Sequence, residues 1–565
     1  MSGGVQRKGY AFGTFVLDTA AHQLLRDGVP VPLKPKVFET LMVLLERAGH
    51  LLSKDELLRR VWPGTIVEEA SLTQNVYELR RALGGDQRLI ENVSRRGYRF
   101  VGEVTVIGNG PARMSIAVLP FRRVAGPAGD ESLELGIADA LITVLTNVPG
   151  LVVRPLSAVS RYGGMDRDAL AAARELDVTI VVDGSVQTAG DRVRVTVRLL
   201  DIPSGAGRWA GKFDEKADDI FALQDAIAGK VAAAVAPELA EREHETLTRR
   251  YTESREAYHF YSKGRYHWNK ATEEGLWKAI EFFRAAIAAD PRYALAWVGI
   301  ADAYTSLDWY GVLSTKDSNP QARAAAEAAV GIDDSLAEAH ASLAMARQYA
   351  WDWEGAESEY RTALALNPNS APARQWYGIF LCFLGRFEEA MAEMRRAQEL
   401  DPVSLSIGSQ LGLVLLCARR YEEAAAQVTQ VLDLDAESVE ALFYLAMIRV
   451  LQGEAAEGIA ICRRLPQENP DFRAMLAHAL GAAHVIEEAR SIIRELQRTP
   501  SNRHVPFFWM SIAHLGIGDH DQALTCLEKA CHDPDDSLLG VMVFPLCDPI
   551  RTHPRYMAVL RRMGL

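Results

Sequence analysis

Long apolar runs are missing from this chain of 565 residues, although 48% of it is hydrophobic. Nothing approaches the ~18 consecutive apolar residues that cross a bilayer; the most apolar stretches, such as "LGLVLLCA" from Leu411, are far shorter. The opening "MSGGVQRKGYAFGTF" has no apolar core of the kind a signal peptide needs. A cytoplasmic protein without a membrane partner is expected. Cysteine is scarce: Cys382, Cys417, Cys462, Cys526, Cys531 and Cys547 all lie in the last third, with no CxxC and no His/Cys spacing that suggests zinc. They read as buried, reduced thiols. No HExxH, GxSxG or Walker arrangement occurs, and neither "GNGPAR" nor "GDESLELG" is followed by G-K-[ST]. The carboxylate pairs Glu68-Glu69 and Glu388-Glu389 read as solvated. These absences speak against an enzyme, a metal or a cofactor.

Basic residues are also in deficit, 62 against 74 acidic ones for a formal net charge of -12. The deficit is uneven. Residues 1–107 hold 15 Lys+Arg and 12 Asp+Glu, and the remainder holds 47 and 62. A nucleic-acid partner depends on the local field of one face, so the first domain is where one is expected.

What is present begins with a repeat. Asp333-Asp334, Asn367-Pro368, Asp401-Pro402, Asp435-Ala436 and Asn469-Pro470 follow one another at intervals of 34 residues. Asp290-Pro291 precedes them by 43, with an insertion around "LDWYGVLSTKDSNP", and Asp533-Pro534 ends a further unit. Small residues recur where two antiparallel helices must cross closely: Ala279 and Ala286, Ala356 and Ala363, then Gly378, Ala390 and Ala397. Proline cannot continue a helix and ends the second of each pair. This pattern resembles tetratricopeptide repeats, strongly over about residues 255–534 and more weakly at 471–500. The last segment, "FPLCDPIRTHPRYMAVLRRMGL", reads as a capping helix. Such repeats stack into a superhelix with a concave binding face, which implies a protein, peptide or ligand partner. Aromatics cluster in "YHFYSKGRYHW", "LDWYGV" and "YAWDW"; most suit the interhelix core and a minority the groove.

Residues 113–240 lack the period. Strand "MSIAVLPF", helix "DESLELGIADALITVLTNV", strand "GLVVRPLS", helix "DRDALAAARELD", the hairpin "VTIVVDGSVQTAGDRVRVTVRLLD", strand "RWAGKFDEK" and a closing helix from "DDIFALQ" predict an α/β domain with a mixed sheet. The pattern resembles the TolB-N-terminal-like domain, which implies no chemistry. Asp183, ahead of Gly184, reads as a strand-end turn residue and not as a metal ligand beside Asp139.

The first domain, 8–106, predicts short strands, a helix from Pro35, a second behind a capping box of Ser53 and Glu56, a third behind a capping box of Ser71 and Gln74, and a terminal hairpin. The third helix buries Leu72, Val76, Leu79 and Leu83. "F.TLMVLLERAGHLLSKDELLRRVW", "V.ELRRALG" and "I.NV..RGYRF" resemble the winged helix-turn-helix of OmpR/PhoB-type transcriptional regulators. That resemblance implies a third helix in the major groove. Thr73, Gln74, Asn75 and Tyr77 would then lie near the bases and Arg80 and Arg81 near phosphates. Ser94, Arg95 and Arg96 would reach from the wing, and Arg99 would meet phosphate or water. Glu78 is repelled by phosphate, so it either orients an arginine, does nothing, or reads cytosine. Tyr98 and Phe100 read as core, and Gln74 serves equally well as a plain capping residue.

The expected fold class is therefore multidomain: an α+β winged helix-turn-helix, a mixed-sheet α/β domain at 113–240, and an all-α repeat superhelix at 255–565. The winged helix begins near residue 10, which leaves no room for a receiver domain before it. A short linker replaces the membrane helix of CadC-like regulators, resembling the architecture of HilA-like ones. A one-component bacterial regulator of promoter DNA is expected, and the family's use of tandem sites implies a homodimer on double-stranded DNA. The competing expectation is an interaction scaffold whose winged helix binds no DNA.

Overall fold

The computed structural model describes residues 9–18, 23–26, 29–31, 33–61, 69–83, 89–93, 96–102, 104–107, 114–125, 132–146, 151–163, 168–189, 192–216, 220–235, 251–270, 272–498, 506–532 and 536–565. The expected turns at Asp27-Gly28, Trp62-Pro63-Gly64 and Gly190-Asp191, the "GGD" after the third helix, and the Asp533-Pro534 repeat end lie outside them. The chain forms two compact units, Met1–Arg113 and Met114–Leu565.

The first unit starts with β1 (Gly9–Phe12), β2 (Phe15–Asp18), β3 (Gln23–Arg26) and β4 (Val29–Val31). Then come α1 (Pro35–Glu46), β5 (Leu52–Ser53), α2 (Lys54–Val61) and α3 (Glu69–Ala82). The hairpin strands β6 (Ile90–Val93) and β7 (Gly97–Phe100) and the strand β8 (Thr105–Ile107) complete it. One sheet runs in the order β4-β3-β2-β1-β8 and the other β5-β7-β6. Pro35 sits at the start of α1, where a missing N–H costs nothing. The amide of Glu56 donates to Ser53 Oγ at 3.2 Å, the expected cap. The second cap is corrected: α3 already includes Glu69 and Ala70, so Ser71 lies inside the helix, and the Gln74 amide turns to Glu78 instead. Leu41, Leu44, Leu57, Leu79, Ile90 and Phe100 fill one core, where Phe12 meets Phe100 edge-on with ring centroids 5.2 Å apart.

The second unit opens with β9 (Met114–Val118), β10 (Arg122–Ala125), α4 (Ser132–Thr146), β11 (Leu151–Val153), α5 (Leu156–Val159) and α6 (Ala169–Glu175). It continues through β12 (Ile180–Ala189), β13 (Arg192–Asp201), β14 (Gly207–Lys216) and α7 (Ile220–Val235). The sheet is mixed, in the order β11-β9-β12-β13-β14, with β9 parallel to β11 and β12, and β10 parallel to β12. Asp183 is not at a turn: it lies inside β12, fully buried, between Arg122 at 2.8 Å and Arg198 at 2.7 Å. A buried carboxylate needs such partners.

Among the described residues eight antiparallel helix pairs follow, from Arg255–Trp268 with Glu273–Ala289 to Phe507–Gly516 with His520–Ala530. The stretch where the proline signature fades still forms a regular pair, Pro470–Ala482 with Ile486–Gln497. Small residues permit the close crossings: a Cβ on Gly264 would come within 2.5 Å of the Phe283 ring, and one on Gly299 within 2.6 Å. All six cysteines are buried and free.

Two features tie this unit together beyond neighbour stacking. The α/β segment is fastened to the array at separate places, through α4 and through Arg154 after β11. Tyr258 donates to the Gly136 carbonyl at 3.3 Å, Arg265 lies 3.4 Å from Asp139, and buried Arg154 donates to the carbonyls of Leu176, Asp177 and Leu400. The chain's end also folds back on earlier pairs. Trp353 Nε1 donates to the Met563 carbonyl at 2.7 Å, and Arg419 pairs with Asp548 at 2.7 Å. The closing helix Pro554–Met563 buries Tyr556, Val559, Leu560 and Met563 in the main core.

Candidate functional site

In the first unit the candidate site is the outer face of α3. Leu72, Val76 and Leu79 point into the core, so the side chains between them point away. Thr73, Gln74 and Arg81 are exposed, and Tyr77 is 62% exposed, a large aromatic left in water. Asn75 goes elsewhere: its amide nitrogen donates to the Lys36 carbonyl at 2.9 Å and to Thr40 Oγ1 at 3.0 Å, pinning α3 to α1. Arg80 turns inward and donates to the Ile90 carbonyl at 2.7 Å, joining α3 to the hairpin. Both act as braces that hold the angle of α3.

Among the described residues, Glu78 takes its hydrogen bonds from partners other than arginine. It accepts from Lys34 Nζ at 2.8 Å and from Gln74 Nε2 at 3.3 Å. The Lys34 bond, then the Gln74 bond, hold its carboxyl below the usual carboxylate range. Its negative charge thus has a cation beside it. Lys34 stands 44 residues earlier, a pairing that local spacing does not signal.

At the wing, Ser94 and Arg95 lie outside the described residues. Arg96 is exposed, and its amide closes the turn onto the Val93 carbonyl at 2.9 Å. Arg99 leans along the hairpin to Glu91, with Nε at 2.9 Å. Tyr98 and Phe100 are buried. Gly97 does more than permit a turn. It has φ 149° and faces β5, where an added Cβ would stand 1.9 Å from the Leu52 carbonyl oxygen. Only glycine lets the wing root lie this close to β5.

The second unit holds a cavity of about 910 Å³ inside the array. Trp309 and Tyr310, from the insertion in the second pair, stand 42% and 51% exposed. Trp309 meets Trp376 edge-on with centroids 6.4 Å apart, while Phe443 contacts Phe472 and Trp509 at 5.0 and 5.1 Å. Glu440 accepts from Gln410 Nε2 and Tyr444 OH, both at 3.2 Å. Gln375 in turn donates to Gln410 and Ser406 at 3.0 and 2.9 Å. Burial pushes the Glu440 carboxyl up to about 7, against the pull of these hydrogen bonds. Among the described residues no group of three or more His, Cys, Asp or Glu could hold a metal ion, and no helix is long and apolar enough to cross a membrane.

Residues 28–100 match the family described as transcriptional regulatory protein, C terminal, and residues 350–406 and 409–471 match tetratricopeptide repeat families. The phosphate regulon transcriptional regulatory protein PhoB of Escherichia coli is 30% identical over 87 residues, 15% of this chain and 38% of PhoB. The chain carries an OmpR/PhoB-type winged helix-turn-helix fused to tetratricopeptide repeats. It is 25% identical over 392 residues to the transcriptional regulator HilA of Salmonella paratyphi A, spanning 68% of this chain and 69% of HilA. It is also 32% identical over 246 residues to the putative adenylate cyclase 3 of Rhizobium meliloti, but covers only 40% of that protein's length. The PhoB and HilA likenesses are both to proteins named as transcriptional regulators.

Proposed function

We propose that the protein is a one-component, sequence-specific transcriptional regulator. Its first domain, 8–106, binds promoter DNA, and its array, 255–565, binds a protein or ligand partner. The observation that carries this reading is the division of α3: a buried apolar stripe on one side, and Thr73, Gln74, Tyr77 and Arg81 exposed on the other. An α-helix with such an outer face fits the major groove. Gln74 reads a base, Tyr77 supplies contact area, and Arg81, Arg95 and Arg96 neutralise phosphates or enter the minor groove. Asn75, Arg80 and Arg99 stiffen the frame. The protein acts in the cytoplasm, as a homodimer on tandem sites, and its 113–240 segment is a TolB-N-terminal-like domain that links the array to the rest of the chain. The cyclase activity in one relative's name stays with that relative.

Binding-site selection from random DNA with the full-length protein, followed by gel shifts on the recovered sequence at low and high salt, tests this. A single enriched motif bound in a salt-dependent way is expected. Absence of any shift at low salt overturns it and leaves the scaffold reading.

A further inference from the structure

Among the described residues, the lining of the array cavity carries charge of one sign. The described residues lining it include Glu273, Asp308, Glu440, Glu468 and Asp471, and not one lysine, arginine or histidine. Its walls are aromatic, with Trp309, Trp376, Phe443, Phe472, Trp509 and Phe544 among them. The partners holding Glu440 are Gln410, Tyr444 and Ser406, none of them cationic. A carboxylate drawn out of water without a counter-charge is unfavourable, and aromatic faces attract cations.

The room available decides what kind of cation fits. At about 910 Å³ the cavity has the size of a small-molecule site. Its floor is partly the protein's own tail: Leu539 and Phe544 line it, and beyond them the chain is tied to Trp353 through the Met563 carbonyl. An extended peptide lying along the concave face would have to displace that tail, whereas a compact ligand would not. Tyr310 stands near enough to Glu440 for that carboxylate to hold the phenol's proton more tightly, beyond the effect of burial. Residues from the second and sixth pairs thus face each other across the space.

We infer that the array cavity is a receptor site for a small organic cation, an ammonium group on a compact apolar body. The ammonium sits against Glu440 and the Trp309 and Trp376 rings. This deepens the proposal that the array binds a partner and rests on it.

The test uses the full-length protein with choline and benzyltrimethylammonium as cationic probes, and 3,3-dimethylbutan-1-ol as the uncharged isostere of choline. Binding is followed by tryptophan fluorescence and calorimetry. Saturable binding of both cations is expected, with the isostere weaker by about tenfold or more. Trp309→Ala should weaken cation binding by a similar factor, Trp309→Phe should restore part of it, and Glu440→Gln should weaken it without altering the far-UV spectrum. Equal binding of choline and its isostere, no saturation by either cation, or an unaltered Trp309→Ala variant overturns the inference. Reporter output from the target promoter separates the two claims. Output that responds to array substitutions without cation binding sinks this inference alone, and cation binding that never alters output sinks the sensing role alone.

Discussion

Helix α3 and the array cavity both present aromatics beside charges, with opposite sign and opposite solvation. On α3, Tyr77 stands in water near Arg81, with Glu78 neutralised by Lys34. In the cavity, Trp309 and Tyr310 share the lining with a half-buried Glu440 whose hydrogen-bond partners are uncharged. In water, charges act at long range and are screened by salt, so the first site suits a polyanion found by steering. At a half-buried position, a carboxylate with no charged hydrogen-bond partner selects its complement at short range. One chain with a net charge of -12 thus keeps two electrostatically different surfaces in different units.

The harshest way to break the first surface is at its root. Gly97→Ala drives a Cβ into the Leu52 carbonyl at 1.9 Å and should cost the winged unit more than about 2 kcal/mol. Urea unfolding of the full chain should show an early transition with DNA binding lost, while the helical signal of the array persists. Next comes the wing itself. Arg95→Ala with Arg96→Ala should lower affinity for every sequence and flatten the log–log salt dependence by about two phosphate contacts' worth, with a slope change of about 1.8. A salt slope equal to the wild type's would remove the wing from the interface.

Gln74→Ala should act more narrowly. Loss of one bidentate reader weakens discrimination at one base pair by about 1–3 kcal/mol, seen as a relaxed position in the selected motif, not as uniform loss. The cavity supplies the smallest effect. The Glu440 carboxyl is raised to about 7 in the fold, so between the ordinary carboxylate range and pH 7 the folded chain keeps a proton that the unfolded chain releases. Stability should fall as pH rises through that window. Glu440→Gln should flatten this part of the curve in thermal melts at pH 5 and pH 8; an unchanged curve would place the cost elsewhere.

Local order was legible in the sequence. The 34-residue spacing of the helix pairs, the alternation of Tyr98, Arg99 and Phe100, and the stripe of Leu72, Val76, Leu79 and Leu83 each follow a local period, and these elements are present. What could not be read is the closure of contacts across distance. Lys34 meets Glu78 over 44 residues and Arg154 reaches Leu400 over 246, and no period carries such a pairing. The same gap explains Arg80 and Asn75. Both stand between positions of the buried stripe, where a helix face is ambiguous, and the neighbouring α1 and β6 decided which way each turned. Asp183 was misread because an Asp-Gly pair looks like a turn until two arginines from β10 and β13 are seen to flank it.

A stack of repeats is ordinarily open-ended: units can be gained or lost at either end, and the outermost ones fray first. Here the tail is tied to Trp353, 210 residues before the carbonyl it holds. That tie turns repeat number from a variable into a constant. Inserting or deleting one helix pair between Trp353 and Met563 would carry the tail past its anchor and open the enclosure. The array should thus tolerate substitution far better than a change in length, and its end should be among the last parts to loosen.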